Sequence, residues 1–149
     1  MASAQNEPMD YTIRQATAVD IDLLDLIHTE NLKGYVEKIY PWKPQLFRES
    51  FICHDYQVIE INNRIIGFMK VVWSETEIYL AEIQIAKNYQ KQGIGTSLIQ
   101  LIIEKARENN KKLWLKVLKG NPAKQLYQRL GFTKLEESLT HEIMVRIPY

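Results

Sequence analysis

A chain of 149 residues with 46% hydrophobic and 25% charged side chains has the size and make-up of one globular domain. Its 19 basic and 18 acidic residues leave a formal charge of +1, so no overall field points to nucleic acid or an anionic membrane. The lone Cys53 excludes an intramolecular disulfide and a cysteine-cluster metal site, and it fits a reducing compartment.

The opening stretch MASAQNEPMD lacks the basic start and apolar run of a secretory signal. It reads as a flexible polar tail, 1–10, ahead of a single domain, 11–149. No apolar run reaches the ~18 residues of a membrane-spanning helix, so the default location is cytoplasmic. Tyr11–Ala16 alternates weakly and reads as a first strand. After Asp20, the residues Ile21, Leu23, Leu24, Ile27 and His28 recur at helical spacing, predicting a helix to about Lys33 that Gly34 interrupts. Tyr35–Pro44 reads as a loop or broken helix, and Gln45–Cys53 as a second short helix.

Three strand-like runs follow. Tyr56–Ile61 and Ile65–Trp73 flank Asn62-Asn63, a hairpin pair whose side chains tolerate positive φ. Glu77–Ala86 is rich in Ile, Leu and Tyr, as a central strand requires. Gly93-Ile94-Gly95 then opens a long helix with the stripe Ile94, Leu98, Leu101, Ile102 and Ala106, ended by Asn109-Asn110. Lys112–Leu118 is another strand. Asn121 caps a shorter helix that Gly131 stops. Phe132–Glu136 and Leu139–Ile147 close as a strand pair. The order β-α-α-β-β-β-α-β-α-β-β implies a mixed sheet with helices on both faces, an α/β or α+β fold.

The junction from Ile85 to Thr96 carries the first chemical signal. Gly93 and Gly95 let backbone approach a ligand, and the first amides of a helix are free and face its positive dipole end. Thr96 offers a hydroxyl and Lys91 a cation. On spacing alone, a tight turn with good helix packing explains the glycines equally well. A dinucleotide fingerprint fails because Leu98 stands where a third glycine belongs, and no Gly-Lys-Ser/Thr follows for a Walker loop.

Gln90-x-x-Gly93-x-Gly95, with Ile85 five residues earlier, resembles the signature turn of the GNAT acetyltransferase superfamily. Asn121-Pro122-Ala123-Lys124-Gln125-Leu126-Tyr127-Gln128-Arg129-Leu130-Gly131-Phe132 is similar to that family's N-x-x-A-x-x-L-Y-x-x-x-G-F block. The resemblance implies a mostly antiparallel seven-stranded sheet flanked by about four helices and splayed between strands 4 and 5. It implies acetyl-CoA as donor and a primary amine of a small molecule or protein as acceptor, reacting directly in a ternary complex. The pantetheine arm would meet strand backbone near Ile83 and Ile85, and the pyrophosphate the amides of Gln90, Lys91, Gln92, Gly93, Ile94, Gly95 and Thr96. Asn121 matches the position that contacts the cofactor arm, and Tyr127 the acid that protonates the departing thiolate. Helix capping and core packing, respectively, are their plain alternatives.

The acceptor amine must lose a proton, which calls for a carboxylate or histidine. Glu82 is the first candidate, because a carboxylate in a central strand needs a reason; a solvated face or a salt bridge is the alternative. His141 in the last strand is the second, with His28 and His54 behind it. Tyr35 and Trp42 are expected to wall the acceptor site, with Tyr40 and Phe47 nearby. No His/Cys/Asp/Glu set has metal-ligand spacing, and no nucleic-acid or membrane partner is expected. The chain is expected to be a monomer or homodimer. A non-catalytic acyl-CoA-binding module and a protein N-terminal or lysine acetyltransferase are the other readings.

Overall fold

A computed structural model describes residues 10–149; the tail expected at 1–10 lies, but for Asp10, outside the described residues. Strands β1 (Thr12–Gln15), β2 (Tyr56–Ile61), β3 (Arg64–Trp73), β4 (Glu77–Ile85), β5 (Lys112–Leu118), β6 (Thr133–Glu137) and β7 (His141–Arg146) form one sheet. Its order is β1-β2-β3-β4-β5-β7-β6, antiparallel except for the β4–β5 pair. The described residues contain four α-helices: α1 (Ile21–Val36), α2 (Leu46–Glu49), α3 (Ile94–Glu108) and α4 (Ala123–Arg129). The expected mixed, seven-stranded arrangement is therefore the one observed.

The sheet divides two apolar cores. On one face, α3 buries Ile94, Leu98, Ile99, Ile102, Ile103 and Ala106 against Ile78, Leu80, Leu113 and Leu115. On the other, α1 and α2 bury Leu24, Ile27 and Phe47 against Tyr56, Val58 and Phe68. Each such aliphatic side chain contributes roughly 1.5–3 kcal/mol when fully removed from water. The Asn62-Asn63 hairpin takes positive φ at both residues, 51° and 62°, as its composition implies.

Three local expectations are corrected. Gly34 does not end the first helix, which runs to Val36; the penalty of about 1 kcal/mol for a mid-helix glycine is outweighed by the buried Leu24 and Ile27. The second helix shrinks from Gln45–Cys53 to Leu46–Glu49, because only Phe47 is buried and Ser50 Oγ donates back to Leu46 O at 2.8 Å. Leu101 lies off the α3 stripe at 39% exposure, while Ile99 and Ile103 take the buried positions.

Candidate active site

The parallel pairing of β4 and β5 lasts only three registers, Glu77↔Lys112, Ile78↔Leu113 and Tyr79↔Trp114. Beyond Tyr79, β4 pairs with β3 alone and β5 with β7 alone, so the two strands part. Where they part, the Tyr79 and Trp114 rings stack with centroids 3.9 Å apart and planes 12° apart. Trp114 Nε1 donates to Glu77 Oε1 at 3.1 Å, fixing the indole at this vertex. Ala86 N–H bonds to Ile66 O in β3, so by alternation the N–H and C=O groups of Ile83 and Ile85 face the gap. The Ile85 carbonyl is already taken, by Asn31 Nδ2 at 2.9 Å and Gln90 Nε2 at 2.8 Å. That leaves both groups of Ile83 and the N–H of Ile85 for an extended ligand.

A β-bulge decides where Glu82 points. Lys70 lies opposite Glu82 and Val71 opposite Leu80, so Ala81 has no partner. Strict alternation would put Glu82 with Ile78 and Leu80 in the apolar core beneath α3. The extra residue moves Glu82 and Gln84 to the α1 face instead. There His28 Nδ1 sits 2.5 Å from Glu82 Oε2, and Gln84 Nε2 donates to the same oxygen at 3.2 Å. The His28 ring lies 4.6 Å from Phe47 and 5.7 Å from Trp42 between centroids. Burial, then the Glu82 charge, holds the Tyr79 phenol above its ordinary range, and the same causes raise Tyr56.

The Gln90–Gly95 turn is built by two left-handed residues, Lys91 at φ 62° and Gly93 at φ 85°. Ser97 N–H is the first in α3 to bond back, to Gly93 O at 3.0 Å. The amides of Lys91, Gln92, Gly93, Ile94, Gly95 and Thr96 bond to no described residue, which suits a phosphate. Gln90 departs from the expectation of a free amide: its N–H bonds to Lys87 O at 3.3 Å and its side chain braces Ile85. Ile94 can offer only its amide, because its side chain is buried in the core. Gln92 Nε2 folds back onto Asn88 O at 3.1 Å.

On the α3 face, α4 carries Tyr127, packed edge-on to Phe132 at 5.8 Å. Burial pushes its phenol up to about 12, and its hydroxyl bonds to no described residue. Asn121 Oδ1 accepts from Ala123 N–H at 2.9 Å, so it caps α4 while its Nδ2 has no partner among the described residues. Lys124 ties α4 to β7 through Glu142, a 2.7 Å pair whose carboxylate is 7% exposed.

Neither His141 nor Tyr35 shares a hydrogen bond or ion pair with Glu82 or His28 among the described residues. His141 lies opposite Leu118 on β7, and its Nδ1 is 2.8 Å from Thr140 Oγ1. Thr140 also accepts from Tyr40 Oη at 3.1 Å, which joins the α1–α2 loop to the β6–β7 turn. Burial, then the Lys116 charge, depresses the His141 imidazole. Tyr35 has the Lys38 ammonium 5.6 Å from its ring. Trp42, by contrast, reaches the site through His28.

In the sequence His28 ranks below His141, and nothing there marks Asn31, Tyr79 or Trp114 taken singly. A signal for the first two was available. Leu24, Ile27, His28 and Asn31 share one helical stripe, so the last two place polar atoms on a core-facing surface. Among the described residues no cluster of three His, Cys, Asp or Glu is placed to hold a metal, and no helix is long and apolar enough to cross a membrane.

Comparison with known proteins agrees with this geometry. An N-alpha-acetyltransferase of Sulfurisphaera tokodaii is 25% identical over 148 aligned positions, covering 85% of this chain and 83% of that protein. The [ribosomal protein bS18]-alanine N-acetyltransferase of Haemophilus influenzae is 36% identical over 76 positions, half of this chain and 52% of the relative. In fold, the chain is similar to the PaiA N-acetyltransferase of Thermoplasma acidophilum, solved with coenzyme A: TM-score 0.75, 17% identity, 93% of this chain and 99% of that one. A model of the acetyltransferase (GNAT) family matches residues 21–132, and the chain belongs to that family.

Proposed function

We propose that the protein transfers the acetyl group of acetyl-CoA to a primary amine by direct attack in a ternary complex. The observation that carries this reading is the β4–β5 gap. It runs between a turn of unpaired amides at Lys91–Thr96 and, across the sheet on the α1 face, the Glu82 carboxylate. The amides would hold the pyrophosphate, and the Ile83 backbone the extended arm. Glu82 would accept the ammonium proton as the amine attacks the thioester carbon. The C–S bond then breaks, and the Tyr127 hydroxyl would donate to the departing sulfur. A phenol near 12 is protonated at neutral pH, so the donor is present when the thiolate forms. Asn121 Nδ2 would contact the cofactor arm, and Trp42 would wall the acceptor side.

The first acceptor class to test is a peptide α-amine. The two sequence relatives described above carry names that describe acetylation of α- or alanine amines. An α-amine, with an ordinary pKa of about 8, also gives up its proton at lower cost than a lysine amine at about 10.4. The test follows thiol release from acetyl-CoA with alanine-initiated hexapeptides, lysine-bearing N-blocked peptides, spermidine and free amino acids. Release above the amine-free background is expected with the α-amine peptides. Background rates across the whole panel would refute the reading.

A further inference from the structure

One turn of α1 holds both the carboxylate and the end of the strand that leads into the Gln90–Gly95 turn. His28 and Asn31 stand one turn apart on its inner face. His28 Nδ1 meets Glu82 Oε2 at 2.5 Å, and Gln84 Nε2 reaches that same oxygen at 3.2 Å. Asn31 Nδ2 then donates to Gln84 Oε1 at 3.1 Å and to Ile85 O at 2.9 Å. Gln90 Nε2 closes the chain on Asn31 Oδ1 at 3.3 Å. The side chains of His28 and Glu82 are only 18% and 15% exposed, and the imidazole is wedged beside Phe47 and Trp42.

The polarity of the chain follows from its chemistry. An ionised carboxylate only accepts, so the Nδ1 of His28 must carry the proton it shares with Oε2. Both donors engage Oε2, and Oε1 has no hydrogen-bond partner among the described residues. A carboxylate held at one oxygen with its other oxygen unengaged is oriented rather than neutralised on both sides. We propose that His28 is the positioning residue of the acceptor base: its Nδ1–H pins Glu82 Oε2 and turns Oε1 toward the amine. This rests on Glu82 being the base. In this role His28 acts through the carboxylate rather than on donor or acceptor.

The test pairs two substitutions of the same residue. His28→Asn keeps a donor near the position of Nδ1, whereas His28→Leu fills much of the space without one. With the amine that gives the fastest wild-type thiol release, His28→Leu is expected to lose kcat by roughly 30-fold, less than the ~10²–10⁴-fold that loss of the proton acceptor itself forfeits. Its KM for acetyl-CoA should stay within about twofold, and His28→Asn should recover most of the lost kcat. In a Glu82→Gln background, His28→Leu should add little, since the two act as one unit. Equal loss in His28→Asn and His28→Leu would overturn positioning and make the ring itself the base. Unchanged kcat in His28→Leu beside an inactive Glu82→Gln would overturn the inference while leaving Glu82 as base. An active Glu82→Gln would remove the base role from Glu82 and the inference with it.

A second readout needs no acceptor and no active variant. In protein labelled with 15N-histidine, the ring that responds to Glu82→Ala is expected to carry its proton on Nδ1, with that proton slow to exchange. In Glu82→Ala the slow exchange should disappear. A His28 ring protonated on Nε2 alone would overturn the pairing. If neither His28 variant gave a cooperative thermal melt, the wild-type spectrum beside that of Glu82→Ala would still decide.

Discussion

Gly67 offers the sharpest test of how closely the strands beside the gap approach. It lies on β3 directly opposite Ile85, at a narrow pair that Ala86 N–H bonds past to Ile66 O at 2.8 Å. A Cβ at Gly67 would stand 2.6 Å from Gln84 O, 2.9 Å from Ile85 Cδ1 and 3.4 Å from Ile85 Cα. The isoleucine methyl can rotate away, but the carbonyl oxygen is backbone and cannot. One strand must therefore move by several tenths of an ångström, an overpacking strain of about 1–3 kcal/mol. At about 2–4 °C per kcal/mol for a domain of this size, Gly67→Ala should lower Tm by roughly 2–12 °C. The displaced segment includes Ile85, whose N–H faces the gap, so the KM for acetyl-CoA should rise with kcat changing less. Thermal melts with and without acetyl-CoA, and a KM series, read both effects. A variant as stable as the parent would refute the close approach. Gly34→Ala is the control: Gly34 is exposed within α1 and has no atom within 4 Å of its would-be Cβ, so that variant should lose no stability.

The remaining predictions concern single groups. Tyr127→Phe should bind acetyl-CoA as the parent does by calorimetry and lose about tenfold or more in kcat; unchanged turnover would remove Tyr127 from the acid role. Asp20 is held below the usual carboxylate range first by its hydrogen bonds from Arg14, both 2.9 Å, and also by Thr17 N–H at 2.8 Å. A depressed folded pKa gives stability that is present above the unfolded value, about 3.9, and lost as the pH falls through the folded one. Asp20→Asn should therefore cost about 2 kcal/mol at pH 7 in urea melts, with the gap from the parent closing in strong acid. A gap that persisted at low pH would show that the charge is not what stabilises the β1–α1 corner. Lys116→Ala should move the NMR titration of His141 upward toward its ordinary value, because the like charge that helps depress it is gone. No movement would leave burial as the whole cause.

Much of this architecture is legible in local patterning. The Asn62-Asn63 hairpin, the apolar β4 and the Gly93-x-Gly95 helix start each announce themselves within a few residues, because turn chemistry and period are local properties. Helix ends were harder to place. Gly34 is a fair stop signal in isolation, and only the burial of Leu24 and Ile27 with the tethering of His28 and Asn31 carries the helix past it. The short α2 fails for the converse reason: the spacing of Leu46, Phe47 and Phe51 suggested one face, yet Leu46 is 57% exposed. The site divides along the same line. Residues that act through backbone at a turn can be read from glycine spacing, whereas Tyr79 and Trp114 acquire meaning only where two distant strands part.

Glu82 shows where local reading gives out. Counting by twos along β4 from Ile78 and Leu80 puts Glu82 in the core below α3, where an ionised carboxylate would be expensive to bury. Glu82 stands out in the sequence only as a carboxylate in a central strand, and alternation alone cannot say how the chain resolves that conflict. The answer lies in pairing: Val71 takes Leu80, Lys70 takes Glu82, and Ala81 is left between them. Nothing about an alanine marks a bulge in sequence, since its small side chain is at ease on either face. The consequence reaches beyond one side chain. The same half-turn that carries Glu82 to His28 also carries Gln84 to Asn31 and keeps Ile83 and Ile85 packed toward α3 with Ile83 backbone open to the gap. One unpaired residue thus turns the Glu82 side chain to the α1 face while the Ile83 backbone faces the gap, a placement that counting by twos from Leu80 would not give.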